Sequence, residues 1–275
     1  MGALAKRIGF MGAGEICEVL IHNMLHNGIV DPGNIFIHDI RKERLEALRA
    51  KFGVVPVGGN REVVAAADYT FSCIRSEYVA EVAEEISGAD MTGRAIVTIS
   101  SGIPMMLFES KLQGAAVARS LPNPPSKIGE GAIVIAYNAN CSEEQKSDIM
   151  SLFSPMGRCF VIREDQIDAA TAITCLAYPL SLFQAAVEAS VLLGIDLKTS
   201  QEMVMQTIRG GLKVWEGRPD KLAEILDQSA TPGGITARML YFLDKEAFKY
   251  GVKGCIEEGA LRTKAFGDRI KEQLK

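Results

Sequence analysis

Residues Ser229 to Thr236, SATPGGIT, place three hydroxyl side chains around a Pro-Gly-Gly turn between two stretches with helical spacing. A plain turn needs less. Backbone N–H groups at a glycine turn that opens a helix converge on one point without Cβ obstruction, and flanking hydroxyls add donors there. The stretch therefore suits an anion such as a carboxylate. It reads equally well as a helix stop followed by a new helix with Thr236 as its N-cap.

A second stretch with chemical capacity is Gly12-Ala13-Gly14-Glu15-Ile16-Cys17, which follows the apolar run KRIGFM and opens a helical pattern. Glycine at Gly12 permits a tight turn, and at Gly14 lets the backbone approach a pyrophosphate at a helix N-terminus. Cys17 holds the third position, usually Gly or Ala, with a side chain that is still small. The turn begins a βαβ succession, the context in which a G-x-G binds a dinucleotide. Asp39 ends the next strand, where an acid hydrogen-bonds the ribose hydroxyls of NAD. Arg41 and Lys42 follow at once, and a cation there meets the 2′-phosphate of NADP instead. The two signals conflict, so the cofactor is NADP or NAD. Glu15 is a second difficulty, because a carboxylate beside a pyrophosphate is unfavourable unless it points away.

Other candidates carry less. His22 and His26 are spaced i, i+4 without a third ligand, so no metal is expected. Six scattered cysteines form no C-x-x-C pair and read as reduced thiols, mostly small core residues. No Walker loop occurs. Trp215 reads as a helix-end packing residue, and Glu130 either orients its loop or is an exposed turn carboxylate. The net charge of −4, with 34 acidic against 30 basic residues, gives no electrostatic footprint for nucleic acid. No apolar run approaches the roughly 18 to 20 residues of a membrane span, and the N-terminus lacks a signal-peptide pattern, so the expected location is the cytoplasm.

The elements that must position these residues fall into two kinds. Up to about Val161, short apolar runs (KRIGFMG, NIFIHD, YTFSCIR, RAIVTIS, AAVARSL, GAIVIAY) alternate with helical patterns such as EICEVLIHNMLHNG and RKERLEALRAKFG. That succession predicts an α/β, doubly wound, mostly parallel sheet of Rossmann type over residues 1–162. Residues 163–275 read as all-α, beginning with a long Ala-, Leu- and Val-rich stretch interrupted by Pro179. So apolar a helical domain is hard to bury alone, which predicts a homodimer or larger homo-oligomer.

Taken in order, the motifs IGFMGAG, VTISSGI, RSLPNPPSKIGEG, DAATAI and DQSATPGGIT resemble those of the pyrroline-5-carboxylate reductase family from about Arg7 to Gly267. The resemblance implies a nicotinamide-binding domain and a helical dimerisation domain that reduce a cyclic imino acid with NADPH or NADH. It places Gly12, Ala13 and Gly14 at the pyrophosphate, and Pro122, Asn123 and Pro124 near the nicotinamide. It places Thr231, Gly233, Gly234 and Thr236 at the substrate carboxylate and imine, with the Thr236 hydroxyl donating to the imine nitrogen.

The chain departs from the family in several places. Thr174 to Pro179, TCLAYP, stand where the family carries Ser-Gly-Ser-Gly-Pro-Ala, so Leu176 and Tyr178 fill, reshape or move the pocket wall. Arg75-Ser76 replaces a frequent Lys-Pro near the cofactor, Glu15 follows Gly14 where Asn is usual, and Ile235 adds bulk beside the carboxylate site. The expected function is thus reduction of a small-molecule carboxylate substrate through an altered pocket. The alternative is a non-catalytic regulatory or partner-binding homologue.

Overall fold

The computed structural model describes residues 4–273. Along its first part run β1 (Ile8–Met11), α1 (Glu15–His26), β2 (Ile35–His38), α2 (Lys42–Phe52), β3 (Val55–Pro56), α3 (Asn60–Ala66) and β4 (Tyr69–Ser72). There follow α4 (Val79–Glu85), β5 (Ala95–Thr98), α5 (Met106–Lys111), β6 (Ala116–Leu121), β7 (Gly131–Tyr137), α6 (Glu143–Phe153) and β8 (Gly157–Val161). The remainder is helical: α7 (Ile167–Ile173), α8 (Ala177–Leu192), α9 (Leu197–Glu216), α10 (Leu222–Ser229), α11 (Ile235–Lys245) and α12 (Phe248–Gln273).

The strands form one sheet in the order β3-β2-β1-β4-β5-β6-β7-β8. Pairings are parallel except β6 with β7. This is the expected doubly wound, Rossmann-type sheet. Its chain order reverses between β1 and β4, the switch point at which open α/β sheets bind ligands.

Alternation along the strands sends side chains to two cores. Phe10, Phe71, Val97 and Ala118 pack against α1 and α6, and the opposite-facing Met11, Ile96 and Val117 pack against α3, α4, α5 and Ile167 of α7. In register across β1 and β4, Phe10 and Phe71 stack at 5.2 Å, and Phe153 of α6 meets Phe71 edge-on at 5.7 Å. Local signals set the helix ends. Ser142 and Gln145 close a capping box at the start of α6, the Asp196 side chain accepts from Thr199 N–H ahead of α9, and Gly53 ends α2 in the left-handed region.

The chain forms two compact units, residues 4–174 with 259–273, and Cys175–Glu258. The sequence changes character at 162/163, directly after β8. By packing, α7 stays with the first unit because Ile167 is buried in the sheet's second core, and Phe266 and Ile270 of α12 pack against the same core. In the second unit no apolar side chain is buried.

Two expectations need correction. The break in the long apolar stretch lies at Thr174–Leu176, not at Pro179, which sits in the first turn of α8 where its missing N–H costs nothing. The stretch Glu164–Leu192 also has the length and composition of a membrane-crossing segment, contrary to the sequence reading, although α7 and α8 are separate helices.

Candidate functional site

The parallel strands carry the expected cofactor residues to one edge. Gly12, Ala13 and Gly14 follow β1, Asp39 and Arg41 follow β2, Arg75 follows β4, and Pro122, Asn123 and Pro124 follow β6. The glycine turn is held from several sides. Gly12 has φ +93, and a Cβ there would stand 2.7 Å from the Cys73 carbonyl oxygen, so only glycine fits. Ala13 donates its N–H to Asp39 Oδ2 at 2.8 Å and accepts at its carbonyl from Arg44 Nε at 2.8 Å. Gly14 caps α1 without a side-chain bond, and a Cβ built on it meets nothing within 4 Å. Open space over the N-terminus of α1 is what a pyrophosphate requires.

The Asp39 carboxyl is inside the turn. Burial works against its ionisation, but bonds from the Arg41 guanidinium and from the N–H groups of Arg41 and Ala13 outweigh that and lower its pKa to about 2. A depressed folded-state pKa gives stability that is complete above the ordinary value of 3.8 and is lost as pH falls through about 2. An Asp39→Asn protein should therefore lose less stability than the wild type between about pH 4 and pH 2. Urea melts across that window check it, and equal losses would discount the bonds to Asp39.

Glu15 meets a partner that no local pattern announces. Its carboxylate takes Lys127 Nζ, from the loop after β6. A charge that would oppose a pyrophosphate is thereby compensated from 112 residues away. Asn123 is used structurally on both sides of its amide. Its Nδ2 donates to the Thr174 carbonyl at 3.1 Å and its Oδ1 accepts from Ala132 N–H at 2.9 Å, which fixes the Pro122–Pro124 segment against the end of α7 and the start of β7. Glu130 is exposed. Arg75 is exposed, pairs with Glu77 at 2.9 Å and lies over the Tyr78 ring.

Arg119 and Asp168, which the sequence reading passes over, join at 2.7 Å beneath this edge. Their one signal is a lone cation in the apolar run AAVARSL. Among the described residues no cluster of His, Cys, Asp and Glu is arranged to hold a metal ion. His22 and His26 merely stack at 5.6 Å.

The second set of residues lies in the second unit. Thr231-Pro232-Gly233-Gly234 forms a turn with Gly233 at φ +72 and Gly234 N–H donating to the Thr231 carbonyl at 2.9 Å, the pattern that Pro-Gly favours. The cap of α11 is Gly234, without a side-chain bond, so Thr236 is not the N-cap but the second residue of the helix. Its hydroxyl has no partner among the described residues, and the first-turn N–H groups are uncapped. Gly233, Gly234, Ile235 and Arg238 line a shallow cavity of about 450 Å³. Leu176 and Tyr178, both half-buried, begin α8. Trp215 Nε1 donates to the Pro219 carbonyl at the end of α9, as a helix-end residue would.

Known proteins match both halves. Residues 164–266 match the family model "Pyrroline-5-carboxylate reductase dimerisation", and residues 7–102 match "NADP oxidoreductase coenzyme F420-dependent". A pyrroline-5-carboxylate reductase of Methanosarcina acetivorans is 25% identical over 267 residues, covering 96% of this chain and 99% of its own. The chain is similar over nearly its whole length to pyrroline-5-carboxylate reductases. The Escherichia coli reductase is 24% identical over 90% of this chain and 94% of its own. Among solved structures, a Plasmodium falciparum pyrroline carboxylate reductase with NADP bound superposes with a TM-score of 0.85 at 25% identity, covering 97% of this chain and 100% of that one.

Proposed function

We propose that the chain is an NAD(P)H-dependent oxidoreductase that reduces a cyclic imino acid, of the pyrroline-5-carboxylate reductase type, in the cytoplasm. The observation that carries this reading is the uncapped start of α11, where first-turn N–H groups and the Thr236 hydroxyl have no partners among the described residues beside the Thr231–Gly234 turn. That end suits a carboxylate, and the glycine turn after β1 suits a dinucleotide. Residues 1–162 then serve as the dinucleotide-binding domain and 163–275 as the helical dimerisation and substrate domain.

Bound NAD(P)H would supply a hydride to the C=N carbon. The chain's part is to place and polarise. The Thr231 hydroxyl and the Gly233 N–H hold the carboxylate beside Gly234, whose own N–H is spent in the turn, and Thr236 donates to the imine nitrogen, where charge changes during reduction. Leu176 and Tyr178 narrow the wall and select a substrate different in outline from the five-membered imine. A homo-oligomer is supported by the second unit itself. Leu192 and Leu193 are 88% and 85% exposed and Met239, Tyr241 and Phe242 are also exposed, a surface that a second copy would cover.

Equilibrium titration with both reduced nicotinamides, followed by assays on pyrroline-5-carboxylate and its six-membered homologue, tests the reading. Thr236→Ala is expected to lower kcat/KM about a hundredfold with little change in dinucleotide affinity. Dinucleotide binding without turnover of either imine would favour a regulatory, non-catalytic homologue.

A further inference from the structure

Asp39 and Arg41, which point to opposite cofactors when read as sequence, form one device. Asp39 Oδ1 accepts from the Arg41 N–H at 2.9 Å and from Arg41 Nε at 2.9 Å. Its Oδ2 accepts from Ala13 N–H at 2.8 Å and from Arg41 Nη2 at 3.0 Å. An ionised carboxylate has about four lone-pair sites. Each of these bonds occupies one, so Asp39 has no capacity left for a ribose hydroxyl. Its side chain is only 7% exposed, whereas that of Arg41 is 57% exposed.

The guanidinium is used along one edge only. Nε and Nη2 face Asp39, and the Nη1/Nη2 edge finds no acceptor among the described residues. That outer edge is a two-point fork of the kind that matches phosphate oxygens. Lys42, the exposed first residue of α2, adds a second cation beside it.

We propose that Arg41 sets the choice of cofactor by acting twice: it saturates Asp39, the acid that would otherwise accept from the ribose 2′-hydroxyl, and it offers its outer edge to a 2′-phosphate. The chain is thereby an NADPH-selecting protein with an NADH-selecting acid silenced inside it. Removing the Arg41 side chain deletes two of the four bonds to Asp39, leaves the two backbone ones, and returns two acceptor positions to the carboxylate. One substitution then withdraws the phosphate contact and restores the hydroxyl contact. The proposal rests on the dinucleotide reading of the glycine turn.

The test is equilibrium titration of the full-length protein with NADPH, NADH and 2′,5′-ADP, using wild type, Arg41→Ala and the double variant Arg41→Ala/Asp39→Asn. Wild type is expected to bind NADPH at least about tenfold more tightly than NADH and to bind 2′,5′-ADP. Arg41→Ala should lose about tenfold or more in NADPH affinity, lose 2′,5′-ADP, and bind NADH severalfold more tightly than wild type does. In the double variant the loss of NADPH affinity should remain and the gain for NADH should vanish, because the amide that replaces the Asp39 carboxylate keeps only one acceptor oxygen and no charge. Equal wild-type affinities, an NADPH preference that survives Arg41→Ala, or an NADH gain that survives in the double variant would each overturn the proposal. Failure of the wild type to bind either dinucleotide would overturn the reading of the glycine turn as well, and so is told apart from those results.

Discussion

A Gly12→Ala protein is expected to keep its sheet and lose dinucleotide binding, with affinity for NADPH falling by about a hundredfold. Alanine at φ +93 costs about 1–3 kcal/mol by conformation alone. The new methyl group would also stand 2.7 Å from the Cys73 carbonyl oxygen and 3.1 Å from its carbon, and these are backbone atoms at the end of β4 that cannot swing aside. Relief comes only if the turn lifts away from β4. That displacement carries Ala13 off Asp39 and tilts the first turn of α1, the donors on which a pyrophosphate depends. Gly14→Ala separates fold from ligand. Gly14 has an ordinary φ of −73 and no atom lies within 4 Å of its built Cβ, so stability should change by less than about 1 kcal/mol. Any affinity lost by that variant reports a ligand lying against the turn. Thermal melts and NADPH titrations of the two proteins check the pair, and a Gly12→Ala protein that binds like wild type would falsify the assignment of the turn.

What is legible in the sequence follows how local each signal is. The glycine turn and β1, β2 and β4 through β7 show because each strand is a short apolar run closed by turn residues. β3 does not show, being Val55–Pro56 alone, and Pro56 argues against a strand. β8, GRCFV, is hidden because it is an edge strand with Arg158 in it and Phe160 and Val161 partly exposed, so it has neither alternation nor a continuous apolar run. Pro179 misleads because a proline in a first helical turn looks the same in sequence as one that breaks a helix. Around the site, residue types are legible and their partnerships are not. Asp39 and Arg41 are two residues apart, yet the saturation of the carboxylate depends on how the chain folds around it. Lys127 answers the difficulty posed by Glu15 across a separation that no periodicity spans. At Thr236 the two readings stand equally open in sequence, and Gly234 as the cap removes the N-cap role from Thr236.

The loop after β6 depends on a charge buried in the sheet, and the expected result of removing it is large. Arg119 lies in β6 with its side chain 4% exposed, joined to Asp168 Oδ1 at 2.7 Å and 3.9 Å from Glu164 Oε1. Glu164 Oε1 also accepts from Met105 N–H at 2.6 Å, so the same pair of acids ties the start of α5 and the start of α7 to the sheet. Arg119→Met keeps the bulk and removes the cation, leaving two partly buried carboxylates without it. A broken buried pair costs about 3–5 kcal/mol, and the lower end applies here because Asp168 and Glu164 still reach water. The consequence extends to the candidate site, since α7 carries Asp168 near its start and is capped at its end by Thr174, whose carbonyl holds Asn123. Arg119→Met/Asp168→Asn should recover part of the lost stability, because one of the two stranded charges is gone, whereas Asp168→Asn alone should cost less than Arg119→Met. Urea denaturation of the three proteins gives the order directly. If Arg119→Met proves as stable as wild type, the ion pair does not secure α7, and the position of Asn123 must be attributed to its own two hydrogen bonds.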